Sequence, residues 1–251
     1  MTTPLVSIIT PTFNRARYLP LLHRCVMAQE LQDFEWLIDD DSQSPSSYMQ
    51  GLADARISYQ HAPVRKAIGA KRNALVERAR GRIIAQFDDD DYYGSNYLAR
   101  MVRTMHERAA AFVKLYGFFV YSKSLRMCGY WDLLQHSGRH MVFSKEPFSV
   151  VMLDEAHDPW IREIHLGFGF SYVFEKAVWE HVRFPDVDWN EDRPFAKEAM
   201  ERFPFVGVQD DACTCIHILH ESSTSRCFPQ YLLPRFLLDR LFPASKDHID
   251  P

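Results

Sequence analysis

The sequence predicts an α/β fold, with a mostly parallel sheet flanked by helices. Short apolar runs alternate with helical patterns through the first half of the chain. That order implies parallel strands joined by right-handed crossovers. The runs are continuous and rich in β-branched residues, as strands buried on both faces are. Two of them end in acids, Asp39-Asp40-Asp41 and Asp88-Asp89-Asp90-Asp91. Acids delivered at C-terminal strand ends stand where open α/β sheets bind ligands.

Leu5-Val6-Ser7-Ile8-Ile9-Thr10, stopped by Pro11, reads as the first buried strand, and Thr12-Phe13-Asn14-Arg15 as a polar loop at its end. Leu21, Leu22, Cys25 and Val26 recur at helical spacing, so a helix follows over about Tyr18–Gln29. Phe34–Ile38 is the second strand and Ile57–Gln60 a short third. A helix opens at Gly69, with Ala70, Ala74, Leu75 and Ala79 on one face, Lys71 turned to solvent and Gly81 as its C-terminal stop. Ile83–Phe87 is the fourth strand, and the helix Asn96–Arg108 turns Leu98, Met101, Val102 and Met105 inward.

The second half is less regular. Val113–Tyr121 is apolar and aromatic, a strand, whereas Tyr130–Ile164 has no clear period and reads as loops with a short insertion. Gly167–Phe174 has the pattern of a strand entered through glycines, which let a ligand or backbone approach closely. A short helix near Ala177–His181 comes next, then a helix ending near Arg202, with Pro194 in its first turn and acids just ahead. Cys213–Leu219 alternates as a strand with both cysteines on one face, and Tyr231–Phe242 reads as an amphipathic helix.

The totals are those of an ordinary soluble globular protein: 251 residues, 47% hydrophobic and 25% charged. That length buries a core without disulfides or a structural metal. A net charge of −4 gives no basic footprint for nucleic acid. The five cysteines are odd in number and lack CxxC spacing, which fits reduced core thiols in a cytoplasmic protein. Met1-Thr2-Thr3-Pro4 lacks the basic start of a signal peptide, and no apolar run approaches the ~20 residues that span a bilayer.

Four adjacent carboxylates at 88–91 repel one another unless a cation or solvent lies among them. Hard oxygen ligands of this kind suit Mg²⁺ or Mn²⁺, which share their coordination with a substrate phosphate. Four stretches, each at a strand end or helix start, then closely resemble the family 2 glycosyltransferases of the GT-A (Rossmann-like) fold. They are Val6–Arg15, Ile38-Asp39-Asp40-Asp41-Ser42, Arg72-Asn73 and Phe87–Asp91, with Glu191-Asp192 following at the expected place. The match covers roughly residues 5–225 and is strongest over 5–95. One departure is Asp41, where relatives commonly carry glycine.

The resemblance implies a nucleoside-diphosphate-sugar donor (most simply a UDP-sugar), a divalent metal and inversion at the anomeric carbon. It places a metal at Asp88 and Asp90, where it would stabilise the charge developing on the diphosphate. Asp90 is the direct ligand by the Asp-X-Asp pattern, with Asp91 the rival if the register falls one residue later and Asp89 turned to the ribose. Asp39 stands where relatives accept a hydrogen bond from the base's ring N–H. Asp40 supports the site from behind. Thr12, Asn14 and Arg15 neighbour base or ribose, and Arg72 reaches a phosphate or the base. Asp192 matches the general base, with Glu191 orienting acceptor or base. His220 matches a late histidine that reaches metal or diphosphate and would favour Mn²⁺, with His217 as the alternative. Trp131, Trp160, Phe168 and Trp189 are candidate sugar-stacking faces, with plain core or loop packing the favoured reading of each.

The expected organisation is a glycosyltransferase domain over 1–225, with a nucleotide half (1–110) and an acceptor half (111–225), and a C-terminal helical extension over 226–251. A saccharide or lipid-linked acceptor in polysaccharide or glycolipid assembly is the broad implication, with at most peripheral membrane contact through the last helix. Two rival readings are weaker. A nucleotidyltransferase would carry a glycine-rich loop after the first strand, and Thr12–Arg17 contains no glycine. A non-catalytic sugar- or metal-binding module would not need Glu191-Asp192.

Overall fold

The structure is a computed structural model that describes residues 3–135, 137–144, 146–154, 159–223 and 225–249, the side chains of 159 and 160 excepted. In chain order the first elements are β1 (Val6–Thr12), α1 (Leu19–Met27), β2 (Phe34–Asp40), α2 (Ser47–Gln50), β3 (Ile57–His61), α3 (Ile68–Arg78) and β4 (Ile83–Gln86). Then come β5 (Tyr92–Tyr93), α4 (Tyr97–Glu107), β6 (Phe112–Ser122), β7 (Met127–Asp132), β8 (Gly138–Val142) and β9 (Ser149–Leu153). The chain closes with β10 (Val173–Glu175), α5 (Lys176–His181), α6 (Asp192–Arg202), β11 (Phe205–Gln209), β12 (Cys215–Leu219), β13 (Tyr231–Leu233), α7 (Arg235–Leu241) and α8 (Lys246–Ile249).

Two compact units result, one of residues 1–90, 95–114 and 166–207, the other of 91–94, 115–165 and 208–251. They cut across the expected division at 110/111. Residues 166–207 return to the first unit because β10 pairs with β4, and residues 226–251 contribute β13 to β7 in the second.

In the first unit β1 lies between β2 and β4, parallel to both, and β3 extends the sheet beyond β2. Ile8 stands opposite Trp36 on one side and Ala85 on the other. Every residue of β1, β2 and β4 is buried, which is why these segments are apolar without alternation. β10 closes the row antiparallel to β4 and to the start of β6. One face packs Ile9, Leu37, Ile84, Phe112 and Phe174 against Leu75, Val76 and Phe195. Helix α4 buries Leu98, Met101, Val102 and Met105, as its spacing predicts.

Several expectations need correction here. Gly167–Phe174 is not one strand: Phe168 is left-handed (φ 68°), a 3₁₀ turn runs over Gly169–Ser171, and only Val173–Glu175 pairs. Gly81 does not stop α3, which ends at Arg78; a Cβ at Gly81 would lie 2.6 Å from the Ser7 backbone nitrogen, so the glycine permits strand contact.

The second unit holds the rest of β6, antiparallel to β7, with β13 pairing the far side of β7. β12 runs parallel to β6 and antiparallel to β5. The segment read as loops over 130–164 contains the β8–β9 hairpin, with His140 opposite Val151, and a 3₁₀ helix over Pro159–Leu166. These strands are short and β9 is largely exposed, so they leave little periodic signal. The amphipathic helix expected over Tyr231–Phe242 divides into β13 and α7, and Phe236 is 70% exposed rather than inward. Cys213 sits in a left-handed turn before β12, not on its face. No disulfide joins the cysteines. Among the described residues no helix is long and apolar enough to cross a membrane.

Asp91 fastens β12. Its Oδ1 accepts the Ile218 backbone N–H at 2.8 Å, and His217 Nδ1 lies 2.9 Å from Oδ2. Burial alone would lower the His217 pKa, but the charge and hydrogen bond of Asp91 raise it well above its ordinary value. That stabilisation is present in full below the unfolded value and is lost as pH rises through the folded one. Asp91→Ala leaves a buried histidine without its partner and is expected to cost about 3–5 kcal/mol in urea unfolding at neutral pH. An unchanged midpoint would contradict this anchoring role.

Candidate active site

The parallel order β2-β1-β4 brings three C-terminal strand ends side by side, so Thr12, Asp39 and the chain leaving β4 toward Asp88 are neighbours. Thr12 Oγ1 donates to Asp89 Oδ2 at 2.6 Å. The Arg15 guanidinium donates to Asp89 Oδ1 at 3.0 Å and to Asp90 Oδ2. Burial and repulsion from Asp90 push the Asp89 carboxyl up to about 7, against the pull of Arg15 and Thr12. Asp89 is therefore an inward strut on the β1 loop, not the ribose-facing group expected. Burial would lower the Arg15 pKa, but Asp90 and Asp89 raise it above its ordinary value.

Asn14 is exposed and left-handed (φ 56°), and its backbone N–H donates to Ser42 Oγ at 2.7 Å. Asp39 is buried at the end of β2, with Lys66 Nζ 3.7 Å away. Asp40 takes Ser42 N–H at 2.9 Å and the Tyr59 hydroxyl at 2.6 Å, a supporting role as expected.

Lys71 corrects the expectation of a solvent-facing lysine. It is 2% exposed, and its Nζ donates to Asp41 Oδ1 at 2.7 Å and to the Thr12 carbonyl at 2.9 Å. Arg65 and the Lys66 N–H complete the shell of Asp41, at 2.9 and 2.8 Å. Burial would raise Asp41, but these donors hold it below the usual carboxylate range. Of the expected α3 face Leu75 and, just past its end, Ala79 are buried, while Lys71, Arg72 and Val76 take the inward places in preference to the half-buried Ala70 and Ala74.

Arg72 is buried at the centre of the acids. Its Nε donates to Glu191 Oε1 at 2.9 Å, its second terminal nitrogen lies 3.3 Å from Asp88 Oδ1, and its first donates to Gln86 Oε1. Burial would lower the arginine's pKa, but Asp88, Glu191 and Asp192 raise it. Glu191 stands immediately before α6, and burial, with repulsion from Asp192, lifts its carboxyl above the ordinary value despite Arg72. Asp192 Oδ2 accepts the Gly169 N–H at 2.9 Å. Lys114 Nζ donates to the Gly167 carbonyl at 2.6 Å in the same turn. Thus Asp88, Arg72, Glu191 and Asp192 form one connected group in the first unit.

Asp91, His217, His220 and Trp131 lie in the second unit. Asp91 and His217 bond to each other, and His220 Nδ1 accepts the Ser222 N–H at 3.2 Å. Trp131 is core, packed edge-on against Phe118 and Phe228, the packing reading rather than the sugar-stacking one. In the first unit Trp189 is 72% exposed and Phe168 half-buried. The Trp160 side chain lies outside the described residues. Among the described residues no three His, Cys, Asp or Glu side chains form a ready cation cage.

Three contributors escaped the sequence reading. Gln86 is buried, holds Arg72 through Oε1 and keeps Nε2 without a hydrogen-bond partner. Lys114 and the Asp41–Lys71 pair are the others. A lone lysine inside the apolar run Phe112-Val113-Lys114-Leu115 was a signal for the first, because a strand buried on both faces has no place for an idle charge.

The model of the family described as glycosyl transferase family 2 matches residues 7–150. The Escherichia coli UDP-Glc:alpha-D-GlcNAc-diphosphoundecaprenol beta-1,3-glucosyltransferase WfgD is 29% identical over 143 residues, 50% of this chain and 56% of WfgD. The chain spans about half the length, or less, of the first curated relatives it matches. Among solved structures, S. aureus TarS 1–349 in complex with UDP-GlcNAc superposes with a TM-score of 0.63 at 16% identity, over 87% of this chain and 59% of that one. A mannosyltransferase from Pyrobaculum calidifontis in complex with GDP-Man and Mn²⁺ gives 0.60 at 14% identity, over 89% and 59%. At these identities the two structures show a shared fold.

The Asp41–Lys71 pair is open to a double-mutant cycle. Lys71→Met alone leaves Asp41 buried with a weaker shell and is expected to cost about 3–5 kcal/mol. Asp41→Gly with Lys71→Met is expected to cost less than the two single changes summed, since neighbours in one network are non-additive. Strict additivity in urea unfolding would contradict the pairing.

Proposed function

The chain belongs to glycosyl transferase family 2, and from that premise we propose that it moves a sugar from a nucleoside-diphosphate donor to an acceptor hydroxyl with inversion. The observation that carries the reading is the shared guanidinium. Arg72 ties Asp88, at the donor-facing strand end, to Glu191 and stands close in charge to Asp192. Donor-side and acceptor-side carboxylates are thereby held in one frame. Neither a nucleotidyltransferase nor a binding module needs the second pair. Assembly of a polysaccharide or glycolipid, with a saccharide or lipid-linked acceptor, follows from the relatives' roles.

Asp88 and Asp90 fit a Mn²⁺ or Mg²⁺ ion. They are hard oxygen donors, Asp88 is partly exposed, and such ions take one or two protein carboxylates and complete their shell with phosphate and water. When bound, the ion would supply positive charge to the departing diphosphate. Arg15, half-buried on Asp90, is the protein cation placed to meet that diphosphate. Asp39 accepts the ring N–H of the base, so uracil and guanine suit it and adenine and cytosine, whose corresponding ring nitrogens are acceptors, do not.

Asp192 is the base. One of its oxygens is fixed by the Gly169 N–H, and the other takes the acceptor hydroxyl proton as the new bond to the anomeric carbon forms and the bond to the diphosphate oxygen breaks. Glu191, held by Arg72, orients the acceptor side.

Asp192→Asn is expected to reduce transfer about 10²- to 10⁴-fold while UDP affinity stays within error in calorimetry; loss of UDP binding would remove Asp192 from the base role. Asp90→Ala is expected to abolish the difference between nucleotide affinities measured with and without Mn²⁺. Metal-independent binding by the wild type would defeat the metal assignment. In thermal shift, UDP and GDP are expected to raise the melting temperature and ADP and CDP to leave it unchanged; equal shifts for all four would count against Asp39.

A further inference from the structure

Lys114 is the one lysine in the middle of β6's buried run, 0% exposed, and no step above uses it. Its ammonium donates to the Gly167 carbonyl at 2.6 Å and lies 5.6 Å from the centre of the Tyr172 ring. Gly167 and Tyr172 bracket the turn whose Gly169 N–H holds Asp192 Oδ2. The Tyr172 hydroxyl closes the same turn by donating to the Leu166 carbonyl, and it also lies 3.4 Å from the Asp192 carbonyl. The turn is thus gripped at both ends and presents one N–H to one carboxylate oxygen.

We infer that Lys114 is a positioning residue for Asp192: it fixes the Gly167–Tyr172 turn and sets a positive charge facing that carboxylate from inside the sheet. The inference rests on the reading of Asp192 as the base. Around Asp192, Glu191 just before α6 repels it, Arg72 on α3 attracts it and is shared with Asp88 beyond β4, and Lys114 on β6 attracts it as well. Arg72 is divided among several acids, so the second cation is what balances Glu191 at this position. Burial lowers the Lys114 pKa to about 7, although Asp192 pulls it upward. A strand interior that disfavours an ammonium holds this one through the Gly167 carbonyl and the charge of Asp192.

The test uses the full chain with Mn²⁺ and a donor chosen from UDP-glucose, UDP-GlcNAc and GDP-mannose by thermal shift, reading nucleoside-diphosphate release against pH. Lys114→Met leaves the Gly167 carbonyl without its donor, and it is expected to melt below the wild type while remaining folded and binding UDP within about twofold. It should lose about 100-fold in kcat, because a misplaced reacting group costs on that order. Its acidic limb should move up by about one pH unit, the effect of removing a nearby opposite charge. Lys114→Arg, which keeps the charge, should leave that limb in place. Wild-type kcat in Lys114→Met overturns the inference, and so does a loss of kcat with an unmoved limb that Lys114→Arg shares. Asp192→Asn measured alongside separates the two claims. If it remains active the base reading fails, and if it is inactive while Lys114→Met behaves as wild type, only the role of Lys114 falls.

Discussion

The first unit depends on one buried cation. Arg72 meets Glu191, Gln86 and Asp88 at once, so a single side chain on α3 links the end of β4 to the start of α6. An unpaired arginine in that position would be prohibitively costly, and so would the carboxylates without it. The charges are mutually required. They also fix geometry, because a guanidinium offers its donors in one plane at set angles. The approach of α6 to the sheet is further set by Gly69, where a Cβ would lie 1.8 Å from the Pro185 carbonyl oxygen, so the loop leading to Glu191 lies directly on the helix.

The same logic recurs in smaller form along the strand ends. Asp89 is held by Thr12 and Arg15, Asp40 by Ser42 and Tyr59, and Asp41 by Lys71, Arg65 and the Lys66 N–H. These acids brace the loops. Asp88 is drawn into the same frame by Arg72 and Asp90 by Arg15, while Asp39 is buried at the end of β2 near Lys66. Each acid of the 88–91 run thus has a protein partner, and Asp88 is the most exposed of the three that bond to arginine. In the second unit Asp91 makes the same kind of commitment, to β12 through Ile218 and His217.

Much of this was legible in the sequence. Continuous apolar runs ending in acids marked β1, β2 and β4, and the spacing of Leu98, Met101, Val102 and Met105 marked α4, because burial on a regular element leaves a period. The order of the motifs carried the family. What failed was whatever depends on a partner distant in the chain. Lys71 read as solvent-facing because nothing local reveals that Asp41 waits for it 30 residues away. That Arg72 also meets Glu191 was hidden for the same reason, since the two lie 119 residues apart. The Gly167–Phe174 segment has strand-like residues, yet a left-handed Phe168 and bonds to Asp192 and Lys114 turn it into a 3₁₀ corner. The β8–β9 hairpin left no alternation because little of it is buried.

The central claim is a single displacement in which Asp192 deprotonates the attacking hydroxyl. It is tested most directly by the anomer first released when water serves as acceptor. Proton NMR of UDP-glucose turnover with Mn²⁺, read before mutarotation, should show β-glucose first, opposite in configuration to the α-linked donor. α-Glucose as the first product would contradict the account.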